Sequence, residues 1–431
     1  MKVAVIGSGI SGLSAAYYLS KNHQVDLFER EDHFGGHSYT VDAILNKKKI
    51  SVDVGFIVFN HQTYPNLINF FKEIDIEIEK SDMSFSVSVE DSNYEYCGKG
   101  LSGIFANKSN LLNIEFIKMF FDILKFYKTC DNISEIDQKI TLDDFLKKNK
   151  WSRGFINYHI IPMVSAIWSM PPYEAGKMPM NFFLKFFQNH GLFKLKNRPQ
   201  WYTVSQRSRA YVDKVLSLIS GQYYKNYKIK SVKRISSGLQ VYYGGNNEFF
   251  HYDKVILATH ANEALNLIDN PSDEERNILS NFSYRENLAI LHTDENIMPK
   301  NKDVWSSWNS FVDKKNTSKN SLSYWLNLLQ NLKNEKNIFL TLNPIKKISE
   351  DKIIKKINFT HPYYDQKALD NQKNLKSIQN KENILFCGSY FGYGFHEDGI
   401  KSSIEMLKKF SVIFNFKNIC MLFAKCILNF V

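Results

Sequence analysis

The chain opens on a short apolar run, Val3-Ala4-Val5-Ile6, of the kind that fills a parallel strand covered on both faces. Leu13, Ala16, Tyr17 and Leu19 then recur at helical spacing between Ser11 and Lys21, and Val25-Asp26-Leu27-Phe28-Glu29 predicts a second strand. Ser84-Phe85-Ser86-Val87-Ser88-Val89 and Tyr94-Glu95-Tyr96-Cys97 alternate with period two, which predicts a hairpin. From Leu101 to Pro199 the pattern is mainly helical. It is strongest over Ile114 to Tyr127, and Thr141 stands as a cap ahead of Leu142-Asp143-Asp144-Phe145-Leu146. Strand patterns return at Lys228–Val232, Leu239–Tyr243, Lys254–Ala258, Asn287–His292 and Ile338–Leu342. A last buried strand, Ile384–Cys387, precedes turns and a helix expected from near Ile400. No repeat or low-complexity linker separates these blocks, so the elements are expected to interleave.

Between the first strand and the first helix stands Gly7-Ser8-Gly9-Ile10-Ser11-Gly12. In such a turn Gly7 permits the sharp exit from the strand, Gly9 lets backbone approach a pyrophosphate, and Gly12 lets the helix pack on the sheet. The N–H groups of Ser8, Ile10 and Ser11 and the positive end of the helix dipole would then meet phosphate. Glu29 closes the second strand 22 residues after Gly7, where a carboxylate accepts from both ribose hydroxyls and repels a 2′-phosphate. Arg30 follows it at the same edge. Six residues beyond Glu29 comes Gly35-Gly36-His37-Ser38, a second glycine doublet that lets a loop cross the pyrophosphate from its far side. Gly55-Phe56 supplies a glycine where chain would pass a flavin ring. The set predicts FAD rather than NAD.

The expected fold is therefore α/β: a Rossmann-like FAD-binding domain of the two-dinucleotide-motif type with an interleaved α+β substrate domain. The cofactor domain is assigned to 1–75, 205–270 and 380–409. The substrate domain takes 76–204, with its helical block at 101–199, and 271–379. An apolar and basic tail takes 410–431. Val232 is expected where this fold offers backbone to adenine. Gly388, Ser389, Asp398, Gly399 and Ile400 are expected around the helix that aims N–H groups at the flavin N1/O2 edge, where charge gathers on reduction.

Composition narrows the picture only slightly. The 431 residues suffice for two domains, and 33 Phe and 23 Tyr call for large cores or an apolar pocket. The formal charge of +11 suits an anionic membrane surface or an anionic substrate; no nucleic-acid motif accompanies it. Cys97, Cys130, Cys387, Cys420 and Cys426 show no CxxC or metal-ligand spacing, so reduced thiols, no metal site and a cytoplasmic location are expected. The apolar N-terminus is interrupted by Gly7, Gly9 and Gly12 and is not a secretory signal. No run of about 20 apolar residues spans a membrane.

With these residues in view, the chain resembles the flavin-containing amine oxidase superfamily, phytoene-desaturase-like enzymes included. It is most similar to bacterial predicted NAD/FAD-binding proteins, themselves similar to the N-terminal region of plant cyclopropane fatty-acid synthases. The likeness is carried by Gly55-Phe56-Ile57-Val58-Phe59-Asn60, Arg198-Pro199-Gln200-Trp201, Trp305-Ser306-Ser307-Trp308-Asn309 and Gly392-Tyr393-Gly394-Phe395-His396-Glu397-Asp398-Gly399. Two departures matter. His37 replaces the arginine that usually follows the doublet, and Gln206-Arg207 replaces a Gly pair. No covalent-flavin cysteine motif is seen, so FAD is expected to be noncovalent.

The resemblance implies an FAD-dependent oxidoreductase passing hydride from an apolar substrate, a lipid acyl chain, to flavin N5. Two alternatives stay open: an amine oxidase, and a non-redox flavin-binding accessory protein working beside a lipid-modifying methyltransferase. His396 and Tyr393 are the candidate catalytic residues, with His61 behind them, while capping suits Glu397. The tail from Phe410 is read either as packed chain or as a peripheral contact with the anionic inner face of a membrane.

Overall fold

The computed structural model describes residues 1–410 apart from 138, 246–247, 318 and 334–335. Its organising element is a five-stranded parallel sheet in the order Tyr223–Tyr224, Gln24–Phe28, Lys2–Ile6, Lys254–Leu257, Ile384–Phe386. Strands from three distant stretches of chain thus lie side by side. Their side chains alternate between two cores. Val3, Val5, Leu27, Ile256 and Leu385 pack with the helices Ile10–Ser20 and His396–Phe410. Ala4, Ile6, Phe28, Val255, Leu257 and Phe386 pack against the antiparallel strands Ile229–Ile235 and Gly238–Tyr243. Because both faces are covered, the strands are apolar without alternation.

A second sheet of seven strands runs Ile353–Tyr363, Ser283–His292, Phe339–Leu342, Asn320–Trp325, Trp308–Val312, Phe85–Val89, Glu95–Cys97. The expected hairpin of 85–97 forms its edge, and Phe85–Val89 joins the rest through a parallel pairing with Trp308–Val312. Helices Ile114–Asp131, Ile161–Trp168 and Met180–Asn189 contribute Phe116, Met119, Phe126, Val164, Phe183 and Phe187 to the core that holds Val87 and Val89. The helix starts are specified locally. Asn113 accepts from the N–H groups of Glu115 and Phe116, and Thr141 and Asp144 cap the helix Leu142–Lys148 reciprocally.

The last helix corrects the sequence expectation, because it begins at His396 rather than near Ile400. Glu397 and Asp398 in its first turn suit the positive dipole end. Gly399, which reads as a helix breaker, is a packing glycine: a Cβ there would lie 2.8 Å from both Ile10 Cγ2 and Ser11 Oγ. At the second family departure, Arg207 takes φ +72°, the left-handed region that a glycine enters freely. Its guanidinium offsets that strain by donating to Ser51 O at 3.1 Å and Gln330 O at 2.9 Å. Phe410 ends the last helix, and the rest of the apolar-basic tail lies outside the described residues.

Candidate functional site

The three glycines of the first turn do different work. Gly7 has φ +100°, and a Cβ on it would come 2.6 Å from Ala258 O. A Cβ on Gly12 would meet Gly7 O at 1.9 Å. Both are therefore contacts within the protein. A Cβ on Gly9 would have nothing within 4 Å, because that side opens on a cavity. Gly9 also caps the helix Ile10–Ser20, with no side-chain cap and no acid in the first turn. The free N–H groups and dipole of that helix are left for an anion from outside the chain.

Glu29 ties this turn to the second glycine loop. One carboxylate oxygen accepts from Ser8 N at 3.1 Å and from Ser8 Oγ at 2.5 Å, and the other accepts from Glu31 N at 3.0 Å. Ser8 Oγ in turn accepts from Gly35 N at 3.0 Å. Gly35, buried at φ +110°, is thus an anchor and not part of the cavity wall. Gly36 faces the cavity, and its added Cβ would be 3.1 Å from Gly9 Cα. The two glycine loops touch there. Gly55 clamps the next residue: a Cβ on it would meet His37 O at 2.1 Å, and Phe56 N donates to the same oxygen at 2.7 Å.

These residues line a cavity of about 1330 Å³. It exceeds the roughly 300–1,000 Å³ of a site for one drug-sized ligand, so a dinucleotide and a substrate both have room. One end holds Glu29, Arg30, Glu263 and the segment Asn226–Lys230. The middle passes Gly7–Ser11, Gly36, His37, Thr259, His260 and His361. The far end is bounded by Phe56, Gly388, Ser389 and Tyr393–His396, then by Tyr64, Tyr127, Met163, Trp168, Phe186 and Trp201. The carboxylates on the described wall are Glu29, Glu31, Asp32 and Glu263, all at the first end. Arg30 is held there by Glu263 at 2.7 Å and Glu31 at 2.9 Å.

Several sequence-predicted site residues sit behind the wall rather than on it. Val232 is fully buried, and its carbonyl accepts from Asp269 N at 2.9 Å; the wall is formed three residues earlier, at Lys228–Lys230. Ile400 belongs to the core, and Gly12 and Gly399 are helix-packing positions. Asp398 accepts from Phe395 N at 3.0 Å and so fixes the loop before its helix; burial pushes its carboxyl up to about 6. Glu397 caps a different helix, Pro65–Glu73, by accepting from Asn66 N at 3.1 Å and Leu67 N at 3.0 Å.

His396 does reach the cavity, stacked on Phe56 with ring centroids 3.6 Å apart. Its Nε2 lies 2.9 Å from Ser38 Oγ and 3.4 Å from Tyr211 OH, and burial lowers it to about 3. The imidazole is a neutral, held ring. Tyr393 lines the wall against Phe182 and Phe186, its hydroxyl raised above the usual phenol range by burial. His61 is exposed against Tyr202 and is not on the wall.

The structure adds residues that sequence reasoning did not find. His260 and His361 join the expected His37 on the middle of the cavity, with the His37 ring 5.2 Å from His361 and 6.4 Å from His260. Only His37 had a local signal, its place after the doublet. Tyr127, on the far wall, bonds His159 Nε2 at 3.0 Å, and His159 Nδ1 is 2.9 Å from Tyr96 OH. His159 belongs to a π-helical turn, Ile156–Ile160, that no local pattern announces.

The fold and cavity define an α/β protein with a Rossmann-like dinucleotide domain. The sequence comparison agrees: residues 5–74 match the NAD(P)-binding Rossmann-like domain family. The chain is 37% identical over 78 residues to the 15-cis-phytoene desaturase of Synechococcus elongatus, covering 18% of this chain and 16% of that one. It is 29% identical over 195 residues to flavin-containing amine oxidase A of Equus caballus, covering 38% of this chain and 34% of that one. It thus spans about a third or less of the length of these curated relatives. A CLA-producing fatty acid isomerase from P. acnes superposes with a TM-score of 0.66 at 15% identity, over 95% of this chain and 98% of that one. The fold is therefore shared with that structure along nearly the whole chain.

Proposed function

We propose that the chain is an FAD-dependent oxidoreductase that oxidises an apolar substrate, a lipid acyl chain, with FAD held noncovalently. The observation that carries the cofactor reading is the contrast within one turn: Gly12 is filled by protein, while the Cβ position of Gly9 is open to the cavity. Gly9 and Gly36 give backbone access to a pyrophosphate, the first helix supplies N–H donors, and Glu29 suits ribose hydroxyls. Bound there, FAD supplies the two-electron acceptor for hydride. Noncovalent attachment is supported by the cysteines: Cys97, Cys130 and Cys387 are buried, and none lines the cavity.

The substrate reading rests on the far half of the cavity, where Tyr127, Met163, Trp168, Phe186 and Leu192 form an apolar wall with no carboxylate among the described residues. An amine oxidase is the second reading, favoured by the flavin-containing amine oxidase relative and by the rings at that end. Phe186 and Phe395 stack 5.1 Å apart, and Trp168 lies 4.6 Å from Phe186. An amine would have to enter neutral, since no acid there would hold the ammonium form. Anaerobic flavin bleaching separates the readings. Bleaching by phospholipid or free fatty acid supports the first and bleaching by amines alone the second. No bleaching by either leaves the accessory role beside a methyltransferase.

Delivery of such a substrate from a lipid surface is part of the proposal. Leu101, Leu111, Leu112, Ile114 and Phe121 are all more than half exposed, within one stretch that also exposes Lys108, Lys118 and Lys125. Exposed apolar side chains among lysines suit insertion into an anionic interface. No helix of the described residues is long and apolar enough to cross a membrane. Co-sedimentation with anionic liposomes should fall when Leu112 and Phe121 are both changed to Glu.

A further inference from the structure

His37 stands where an arginine would face the cofactor, and Arg30, at the neighbouring end of the cavity, is engaged by Glu263 and Glu31. Among the polar groups that do face that space are the imidazoles of His37, His260 and His361. His37 Nε2 is buried with no partner in the described chain. His361 projects from the strand Ile353–Tyr363, and its Nε2 has no hydrogen-bond partner among the described residues and opens on the cavity.

The other nitrogen of His361 is fixed by a chain of amides, ending on the buried Asn287, whose polarity can be followed from the backbone. Leu288 N can only donate, and it does so to Asn343 Oδ1 at 3.0 Å. Asn343 Nδ2 therefore donates to Asn287 Oδ1 at 2.6 Å. Asn287, 2% exposed, then turns its Nδ2 toward Arg285 O at 3.4 Å and His361 Nδ1 at 3.0 Å. Arg285 O can only accept, so both ends of the chain demand the same orientation. His361 Nδ1 is an acceptor, and the ring proton must sit on Nε2.

We propose that His361 is a fixed, neutral hydrogen-bond donor to the bound dinucleotide, its tautomer set by the Leu288–Asn343–Asn287 chain. The inference rests on the FAD reading above. Protonating Nδ1 would set two donors, the ring N–H and the Asn287 amide, against each other. Burial and the neighbouring His260 act in the same direction and lower His361 to about 4. The other titratable groups around it are His37, lowered by burial and by His361, His260, His396 and His33, and His260, which feels Glu263 and Arg30. The middle of the site therefore presents N–H dipoles where a guanidinium would present charge.

The test has three arms on the full-length protein. Imidazole nitrogen NMR of the flavin-stripped protein should show His361, assigned through loss of its signal in His361→Phe, as the Nε2–H tautomer and unprotonated from about pH 5.5 to 8.5. An Nδ1–H tautomer or an imidazolium in that range overturns the proposal, whatever the variants do. Titration of FAD should give a dissociation constant raised about ten- to a hundredfold in His361→Phe, the scale for a hydrogen bond to a charged group. Asn287→Asp replaces the donor with a near-isosteric acceptor and favours the imidazolium. The ratio of its FAD dissociation constant to that of the wild type should therefore rise as pH rises through the imidazole range, a trend that loss of packing would not produce. Tight FAD binding indifferent to both substitutions overturns this inference alone, whereas a wild-type chain that binds no FAD overturns the cofactor reading with it.

Discussion

The two ends of the cavity are built from different materials. The dinucleotide half, from the first end through the middle, is shaped by backbone: Gly7, Gly9, Gly12, Gly35, Gly36 and Gly55 act by what their missing side chains allow. The far end is made of rings and apolar side chains spread over more than three hundred residues of chain, such as Tyr64, Tyr127, Phe186 and Phe395. A backbone site requires one residue type at each position, because any Cβ either clashes or fills the ligand's place. A ring-lined site needs only volume and apolarity, which many residue sets meet. The first kind leaves a spaced motif in the sequence, and the second leaves only composition.

The largest expected effect tests whether the glycines are as distinct as their surroundings. Gly12→Ala puts a methyl 1.9 Å from a backbone oxygen and should cost about 3 kcal/mol or more, seen as a large drop in unfolding midpoint or loss of folded protein. Gly9→Ala meets no protein atom at its φ of −63° and should cost less than about 1 kcal/mol, yet lose FAD. A Gly9→Ala protein that keeps FAD would remove the cofactor from this turn.

Next in size is a dependence on pH that comes mainly from the ring-built regions. His159 and His396 are lowered to about 3, and His190, His292 and His361 to about 4, in each case chiefly by burial. An unfolded chain protonates these rings near pH 6.5, so between about pH 4 and 6.5 the unfolded state binds more protons and stability rises with pH. Asp53 and Asp398, raised to about 6 by burial, act with the opposite sign, as do Glu397 and Asp213, but the lowered histidines, His37 and His260 included, outnumber these acids. The unfolding midpoint of the flavin-stripped protein should climb from pH 4.5 to 6.5. A flat or falling profile would mean that these rings are hydrated in solution.

Glu29→Gln probes the one carboxylate that serves both the fold and the proposed ligand. It should weaken FAD by about 1.5–3 kcal/mol, measured by flavin titration. Stability should fall by less, because Gln can still accept from Ser8 or Glu31 with its one oxygen. Equal FAD affinity would leave Glu29 as a tie between the two glycine loops and nothing more.

How much could be read in the sequence follows the same division. The first turn, Glu29 and the doublet were legible because their contacts lie within a few residues, or across one parallel pair, of where the pattern appears. Val232 lies behind the cavity wall, which runs about three positions earlier, because a strand pattern does not state where its end meets a cavity. The last helix was started four residues late because Gly399 reads as a breaker until Ile10 and Ser11 are seen against it. His361 and Tyr127 left no local mark at all. The first depends on Asn287 and Asn343, and the second on a histidine in a π-helical turn.

The smallest effect concerns Glu397, which stands in the first turn of the final helix but accepts its hydrogen bonds from a different one. Its two oxygens accept from Asn66 N, Asn66 Nδ2 at 2.6 Å and Leu67 N, so one carboxylate fills the open N-terminus of the helix Pro65–Glu73 across more than 300 residues of chain. That helix has Pro65 at its first position and no side-chain cap of its own from Tyr64, which explains why a distant acid is used. Burial pushes the Glu397 carboxyl up while the two N–H bonds and Asn66 pull it back, so its charge is held by the cap. Glu397→Gln keeps one acceptor and turns an amide donor toward an N–H, and should cost about 1 kcal/mol in thermal unfolding. FAD affinity and flavin bleaching should stay at wild-type values, since Glu397 does not line the cavity. If they fall with stability intact, the final helix contributes to the site through this residue, and the boundary between backbone-built and ring-built halves must be moved to include it.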